Sequence, residues 1–257
     1  MKFAIVDDTR TEATKGVRGI CPSCGSELIA KCGVQKVHHW AHKGTRTCDS
    51  WWEPETEWHR TWKNNFDLTM QEVIKIDPIS GERHIADIYL PHNDLVIEFQ
   101  HSPIDIEEIN AREKFYKRMI WVIDIPANKK GIELFSVFFK EDVIEKMWHT
   151  NMNLRRRKRI KEGDYAMEGE WELLEEEKRE MSLYSSNYST WSSHPDYFLM
   201  YWIRRQKRWE RSTLPLFFDI GDEYLYMNMH TLKLVSCNIV KRFLKSHFID
   251  HYKQSNL

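Results

Sequence analysis

Between Glu53 and Phe66 the aromatic residues Trp58, Trp62 and Phe66 recur at every fourth position, which lays one apolar stripe along a helix. Downstream the pattern changes to strands. Three β-type runs, Glu72–Ile76, His84–Leu90 and Leu95–Gln100, are separated by the turn signals Asp77-Pro-Ile-Ser-Gly81 and Pro91-His-Asn-Asp94, and they predict an antiparallel meander. Ser102-Pro103 then opens a second helix, with Ser102 as N-cap and Pro103 in the first turn, running to Met119. Ile120–Ile125 is almost wholly apolar, as expected of a strand buried on both faces. Residues 53–130 therefore read as an α/β core of order α-β-β-β-α-β.

The flanks read differently. Residues 1–52 open with a short strand and a polar turn, then continue as a Cys/His-rich stretch with few apolar residues. Residues 131–181 predict a charged helical region, and 182–195 (SLYSSNYSTWSSH within it) have the composition of a linker. Residues 196–257 predict a C-terminal α+β module. It comprises an aromatic and basic helix from Asp196, short strands at Leu216–Ile220, Glu223–Met227 and Lys233–Val235, and a last helix at Ile239–Phe248.

Composition narrows the class. With 41% hydrophobic and 30% charged residues the chain is too apolar to be mostly disordered. No apolar run approaches a membrane span and MKFAIVDDTR lacks a secretory pattern, so the expectation is a cytoplasmic protein without a membrane partner. A net charge of −1 provides no overall attraction to nucleic acid, so any such contact must be local, as at the basic runs Arg155–Arg159 and Arg204–Arg208.

Of five cysteines, four (Cys21, Cys24, Cys32, Cys48) fall in the first module. Cys21-Pro-Ser-Cys24-Gly25, His39-Trp-Ala-His42 and Cys48 have the donor types and the close Cys-x-x-Cys pairing of a structural zinc site. A glycine after the second thiol permits the turn that points both at one ion. Cys21, Cys24, His42 and Cys48 are the preferred ligands, with His39 next. A redox dithiol needs a preceding βαβ pattern, which is missing here.

Asp87 and Glu98 are acids on otherwise apolar neighbouring strands, and a buried carboxylate is costly unless paired or bound to a metal. Two antiparallel strands bring them together. With the main-chain carbonyl of Phe99 they offer oxygen ligands to Mg²⁺ or Mn²⁺, an ion that polarises a scissile phosphate and activates water. Glu55, His59 and Lys63 follow at i, i+4 and i+8, a polar helix stripe that forms a second wall beside those acids.

Asp87 followed by Glu98-x-Gln100 resembles the PD-(D/E)XK nuclease signature, with Gln where lysine is usual. Together with Cys21-Pro-Ser-Cys24, His39-Trp-Ala-His42, Cys48, Glu55-Thr-Glu-Trp-His59-x3-Lys63, Ala86-Asp87, Glu98-Phe-Gln100-His-Ser102, Arg112 and Tyr116, the chain over residues 1–126 is similar to the competence protein CoiA-like family. That resemblance implies a restriction-endonuclease-like core acting on DNA, with Glu55, Asp87 and Glu98 as metal-site acids and Gln100 at the lysine position. Gln100 is neutral and cannot serve as a cation toward phosphate, so Lys63 is the candidate substitute. Arg112 and Tyr116, one helical turn apart, are candidates to contact DNA or to brace Glu98, and Arg155, Arg156 and Arg157 to grip its backbone. A non-catalytic DNA-binding or recombination-mediator protein is the alternative, and the C-terminal module is a candidate dock for a protein partner.

Overall fold

The computed structural model describes residues 1–34, 36–44, 48–125, 132–136, 179, 182, 186–187, 190–191, 193–202, 208–232 and 237–254. Five strands come first: β1 (Phe3–Val6), β2 (Thr9–Glu12), β3 (Arg18–Ile20), β4 (Glu27–Lys31) and β5 (His39–His42). They form one sheet of order β2-β1-β3-β4-β5. Sparse as its apolar residues are, this sheet closes over a small core of Ala4, Cys21, Leu28 and Trp40.

Helix α1 (Glu57–Lys63) follows, and then β6 (Gln71–Ile76), β7 (Arg83–Leu90), β8 (Leu95–Gln100), helix α2 (Ile106–Tyr116) and β9 (Met119–Asp124). β6, β7 and β8 pair antiparallel as the expected meander, and β8 pairs parallel with β9 across the α2 crossover. Both helices begin later than their sequence signals suggest. Thr56, not Glu53, caps α1 by accepting from the His59 amide, and Asp105 rather than Ser102 caps α2 by accepting from the Glu108 amide.

The sheet does not end at β9. It continues through β10 (Ile132–Ser136), β11 (Tyr197–Trp202), β12 (Leu216–Asp219), β13 (Tyr224–Leu232) and β14 (Cys237–Leu244) to helix α3 (Lys245–Gln254). The full order is β10-β11-β14-β13-β12-β9-β8-β7-β6, so the span 196–257 is built into the same sheet as the core. Three expectations are corrected here. Ile132–Ser136 is a strand where charged helix is expected; the rest of that region, and the strand expected at Lys233–Val235, lie outside the described residues. Tyr197–Trp202 is a strand and not a helix, because its unbroken run of aromatic and aliphatic residues has no charged face and is paired on both edges, by β10 and β14. Ile239–Leu244 is likewise strand, since the Ile239-Val240 pair is fully buried in the sheet, and the helix starts only at Lys245. In the span expected as a linker, Trp191 is buried and its ring lies 5.5 Å from that of His230.

The large sheet is covered on both faces. Trp121, Ile123 and Phe218 pack with Ile109 and Tyr116 of α2 on one side, and Ile97, Phe99, Val122 and Phe217 pack with Trp62 of α1 and Phe248 of α3 on the other. Asp219 at the end of β12 fixes α1 against the sheet. One carboxylate oxygen accepts both indole N–H groups, from Trp58 and Trp62, each at 2.9 Å, and the other accepts from Gly221 N at 2.9 Å and Lys245 Nζ at 2.6 Å. The aromatic stripe of α1 is therefore both packed and hydrogen-bonded. Among the described residues no helix is long and apolar enough to cross a membrane.

Candidate active site and metal centre

The three strands of the meander put Glu72, Asp87 and Glu98 in one row. β6 and β7 pair at Gln71–Ile88 and Val73–Ala86 but not at Glu72–Asp87, and the β7–β8 ladder stops at Ile88–Ile97, one step short of Asp87–Glu98. Where the ladder opens, side chains replace it. Asp87 N donates to Glu98 Oε1 at 3.1 Å and Phe99 N donates to Asp87 Oδ2 at 3.0 Å. Glu72 has φ +44°, a left-handed conformation that a residue with a side chain adopts at a cost.

Into this row α1 sends Lys63. Its ammonium is buried, with only 3% of the residue exposed, and lies 3.1 Å from Glu55, 3.1 Å from Glu72 and 3.2 Å from Asp87. Burial alone would push Lys63 down, but the three carboxylates outweigh it and hold the ammonium well above its ordinary range. Burial likewise works against Glu72, yet Lys63 and the amides of Lys2 and Phe3 bring it to about 2. Glu98 goes the other way: burial and the neighbouring Asp87 push it up to about 8 against the pull of Arg112, whose Nη1 donates to Glu98 Oε2 at 3.0 Å.

The row forms the floor of a small cavity of about 60 Å³, lined by six acids (Asp49, Glu53, Glu55, Glu72, Asp87, Glu98) against His59, Lys63 and Arg112. That imbalance favours a cation. Trp52, 46% exposed, stands among the lining residues. His59 Nε2 lies 3.1 Å from the Phe99 carbonyl and 3.2 Å from Glu53, while Nδ1 is 2.8 Å from Thr56 Oγ1. Burial opposes its protonation, but Glu53 and Asp87 prevail and raise its pKa.

Of the expected site residues, Glu55, His59, Lys63, Asp87 and Glu98 line one cavity. Gln100 does not. It is buried beyond the cavity, where its amide donates to the Ser102 carbonyl at 2.8 Å and its Oε1 has no hydrogen-bond partner among the described residues. Arg112 also lines that cavity and is enclosed by Glu98, Glu108 and the Trp51 carbonyl, so it braces Glu98, while Tyr116 is buried in the core. Arg155, Arg156 and Arg157 lie outside the described residues. Sequence reasoning missed three of the acids. Glu72 is the first residue of a predicted strand, Glu53 precedes the α1 cap, and Asp49 follows the last cysteine of the first module.

That module carries a second cluster. Cys21 Sγ and Cys48 Sγ are 3.9 Å apart, and His42 Nε2 is 3.4 Å from both Cys24 Sγ and Cys48 Sγ, so all four donors lie within 4.8 Å of one another. A tetrahedron with arms of ~2.3 Å has edges of roughly 3.8 Å, so the cluster can hold a metal such as zinc. Gly25, at φ +73°, makes the turn after Cys24, and its amide closes onto the Cys21 carbonyl at 2.9 Å. Burial opposes ionisation of Cys24, but hydrogen bonds with Ser26, His42 and Cys21 draw its thiol down to about 6, toward the thiolate a metal needs. His39 stands outside this cluster: three residues from His42 on one strand, it lies on the opposite face and its Nδ1 is 2.8 Å from the Val37 carbonyl.

If Glu98 is held protonated by its surroundings, stability must fall as it ionises. Its folded pKa of about 8 exceeds the ordinary 4.5, so the folded state keeps a proton that the unfolded state has lost between those values. Without added divalent ions, wild type is expected to lose stability relative to Glu98→Gln as pH rises from about 5 to 8, and to approach it below that window. Melting curves at half-unit pH intervals check this, and a pH-independent gap between the two proteins would contradict it.

Together, a sheet that opens at a row of carboxylates and a Cys₃His cluster that could hold a metal lie in one mixed α/β protein. The comparisons bring in a nuclease-like family. The family description "Competence protein CoiA, N-terminal domain" matches residues 7–50, and "Competence protein CoiA, nuclease-like domain" matches residues 78–155. The competence protein CoiA of Bacillus subtilis (strain 168) is 39% identical over 57 residues, 22% of this chain and 15% of that protein. The chain is thus similar to the CoiA-like family over these two stretches, while spanning only that small part of the curated relative it matches. No solved structure matches it.

Proposed function

We propose that this protein is a divalent-metal-dependent deoxyribonuclease with a restriction-endonuclease-like core and a structural zinc site at Cys21, Cys24, His42 and Cys48. The observation that carries the reading is the opened row itself: Asp87 and Glu98 cross-bonded where the backbone ladder is missing, beside the Phe99 carbonyl. Asp87, Glu98 and that carbonyl are hard oxygen donors and would hold Mg²⁺ or Mn²⁺, and the acid excess of the cavity supports a cation there. Such an ion, when bound, polarises the phosphate and lowers the pKa of a water. The chain's own groups arrange the rest. Arg112 holds Glu98, the His59 ring sits on the Phe99 carbonyl, and Lys63 supplies the positive charge next to Asp87 that Gln100 cannot.

A cytoplasmic role in competence, recombination or defence against foreign DNA fits this chemistry. One observation favours a second reading, a non-catalytic DNA-binding protein: both carboxylates are satisfied by protein donors, and Lys63 already sits between Asp87 and two other acids. Incubation with linear and circular DNA, with Mg²⁺, with Mn²⁺ and with neither, separates the two. Cleavage that needs a divalent ion and drops at least about 10²-fold in Asp87→Asn supports the nuclease. A wild type inert with every divalent ion but retaining DNA would establish the second reading.

A further inference from the structure

The metal cluster and the acidic cavity are joined by one short segment, in which Cys48, Asp49, Trp51 and Glu53 each have a partner on one side or the other. Cys48 is the last ligand of the cluster. Asp49, next to it, accepts from the Ile85 amide at 3.0 Å and from the Trp51 amide at 3.0 Å, and pairs with His84 at 3.0 Å, so it clamps β7 two residues before Asp87. The Trp51 ring stacks on His84 at 3.2 Å, and its carbonyl accepts from Arg112 Nη2 at 2.7 Å, the guanidinium that also holds Glu98. Glu53 accepts from the amides of His101, at 3.3 Å, and Ser102, immediately after β8. Asp49, Trp51, Trp52, Glu53 and Glu55 all line the cavity.

We propose that Cys48–Glu55 is a strap through which the metal centre assembles the acidic cavity, with Asp49 and Glu53 as the positioning residues that fasten it to β7 and to the end of β8. The inference rests on the zinc and nuclease readings above, and it makes the distant metal a control point for the site. With Cys48 tethered, the strap is pinned at its first residue and each carboxylate stays on its amides. With Cys48 released, the strap loses its fixed end, and the amides that depend on it open while the centre of the large sheet stays closed.

Amide hydrogen exchange, read residue by residue by NMR on the full chain under reducing conditions, tests this before and after zinc is stripped and restored. Stripping is expected to speed exchange at Ile85, His101 and Ser102 by about tenfold or more, the scale of losing a bond to a charged acceptor. Trp121 and Ile125, whose amides donate to the Pro215 and Asp219 carbonyls, should not change. Glu53→Ala should keep its zinc yet expose His101 and Ser102 with the metal bound. Unchanged protection at Ile85, His101 and Ser102 after zinc loss would overturn the strap, and so would an equal loss at Trp121 and Ile125, which would mean one cooperative unit. Because exchange is read without substrate, failure to cleave DNA would count against the nuclease reading alone.

Discussion

Replacing Lys63 by Met is expected to destabilise the protein by about 3–5 kcal/mol, the scale of removing one partner from a buried ion pair. The ammonium is the shared counter-charge of Glu55, Glu72 and Asp87, and without it three carboxylates face one another in a buried cavity. A thermal midpoint lower by on the order of 10 °C should follow. The effect has a pH signature. Glu72 is held at about 2 and Glu55 below its ordinary value, so the stability they contribute is fully present above about 4.5 and is lost as pH falls toward 2. Variant and wild type should therefore converge in that acid range. Lys75→Met, which removes a pair with a largely exposed Asp94, should cost under about 1 kcal/mol and serves as the control. If Lys63→Met melts within a degree or two of wild type at neutral pH, the cavity is not held together by this charge. A lowered cleavage rate in such a variant is evidence for chemistry only where its fold is shown to be intact.

The second large effect is expected at the other cluster. Wild type should purify with about one zinc per chain, and Cys21→Ser with Cys24→Ser with none, since two of four ligands are gone. In isolated finger peptides a structural zinc contributes about 10–16 kcal/mol to folding. Here the five-stranded sheet has a small core and is bolted to the large sheet, through Lys2 and Phe3 amides on Glu72, so the loss should be smaller but still melt the module first. Elemental analysis and circular dichroism melts check both statements. Retention of zinc by the double variant, or an unshifted melt, would show the cluster to be misassigned.

How far all this could be read in the chain depends on range. The meander and β9 rest on β-type and apolar runs set off by turn signals, and the packed face of α1 on fourfold spacing; all of these are local, and the elements are where the sequence says they are. Asp87 and Glu98 were legible as acids breaking apolar strands, and Lys63 as the end of a polar stripe at helical spacing, which are local signals too. Glu72 was not, because an acid at a strand end has nothing local to mark it; only the strand register sets it level with Asp87. Gln100 was misplaced into the cavity by motif alone, although a strand end and the loop after it decide where its side chain goes. Tyr197–Trp202 and Ile239–Leu244 were misread because their strand state comes from partners far along the chain.

Asp219 has a consequence for anyone seeking a minimal fragment. The two matched domains end at residue 155, yet both indole hydrogen bonds that seat α1 are received by this one carboxylate beyond that point, on a strand whose parallel partner is β9. Excising residues 1–155 would leave β9 as a bare, apolar sheet edge prone to self-association, and would strip the helix bearing Lys63 of its anchor. The catalytic-looking half of the sequence is not a portable cassette: its geometry is on loan from the other half.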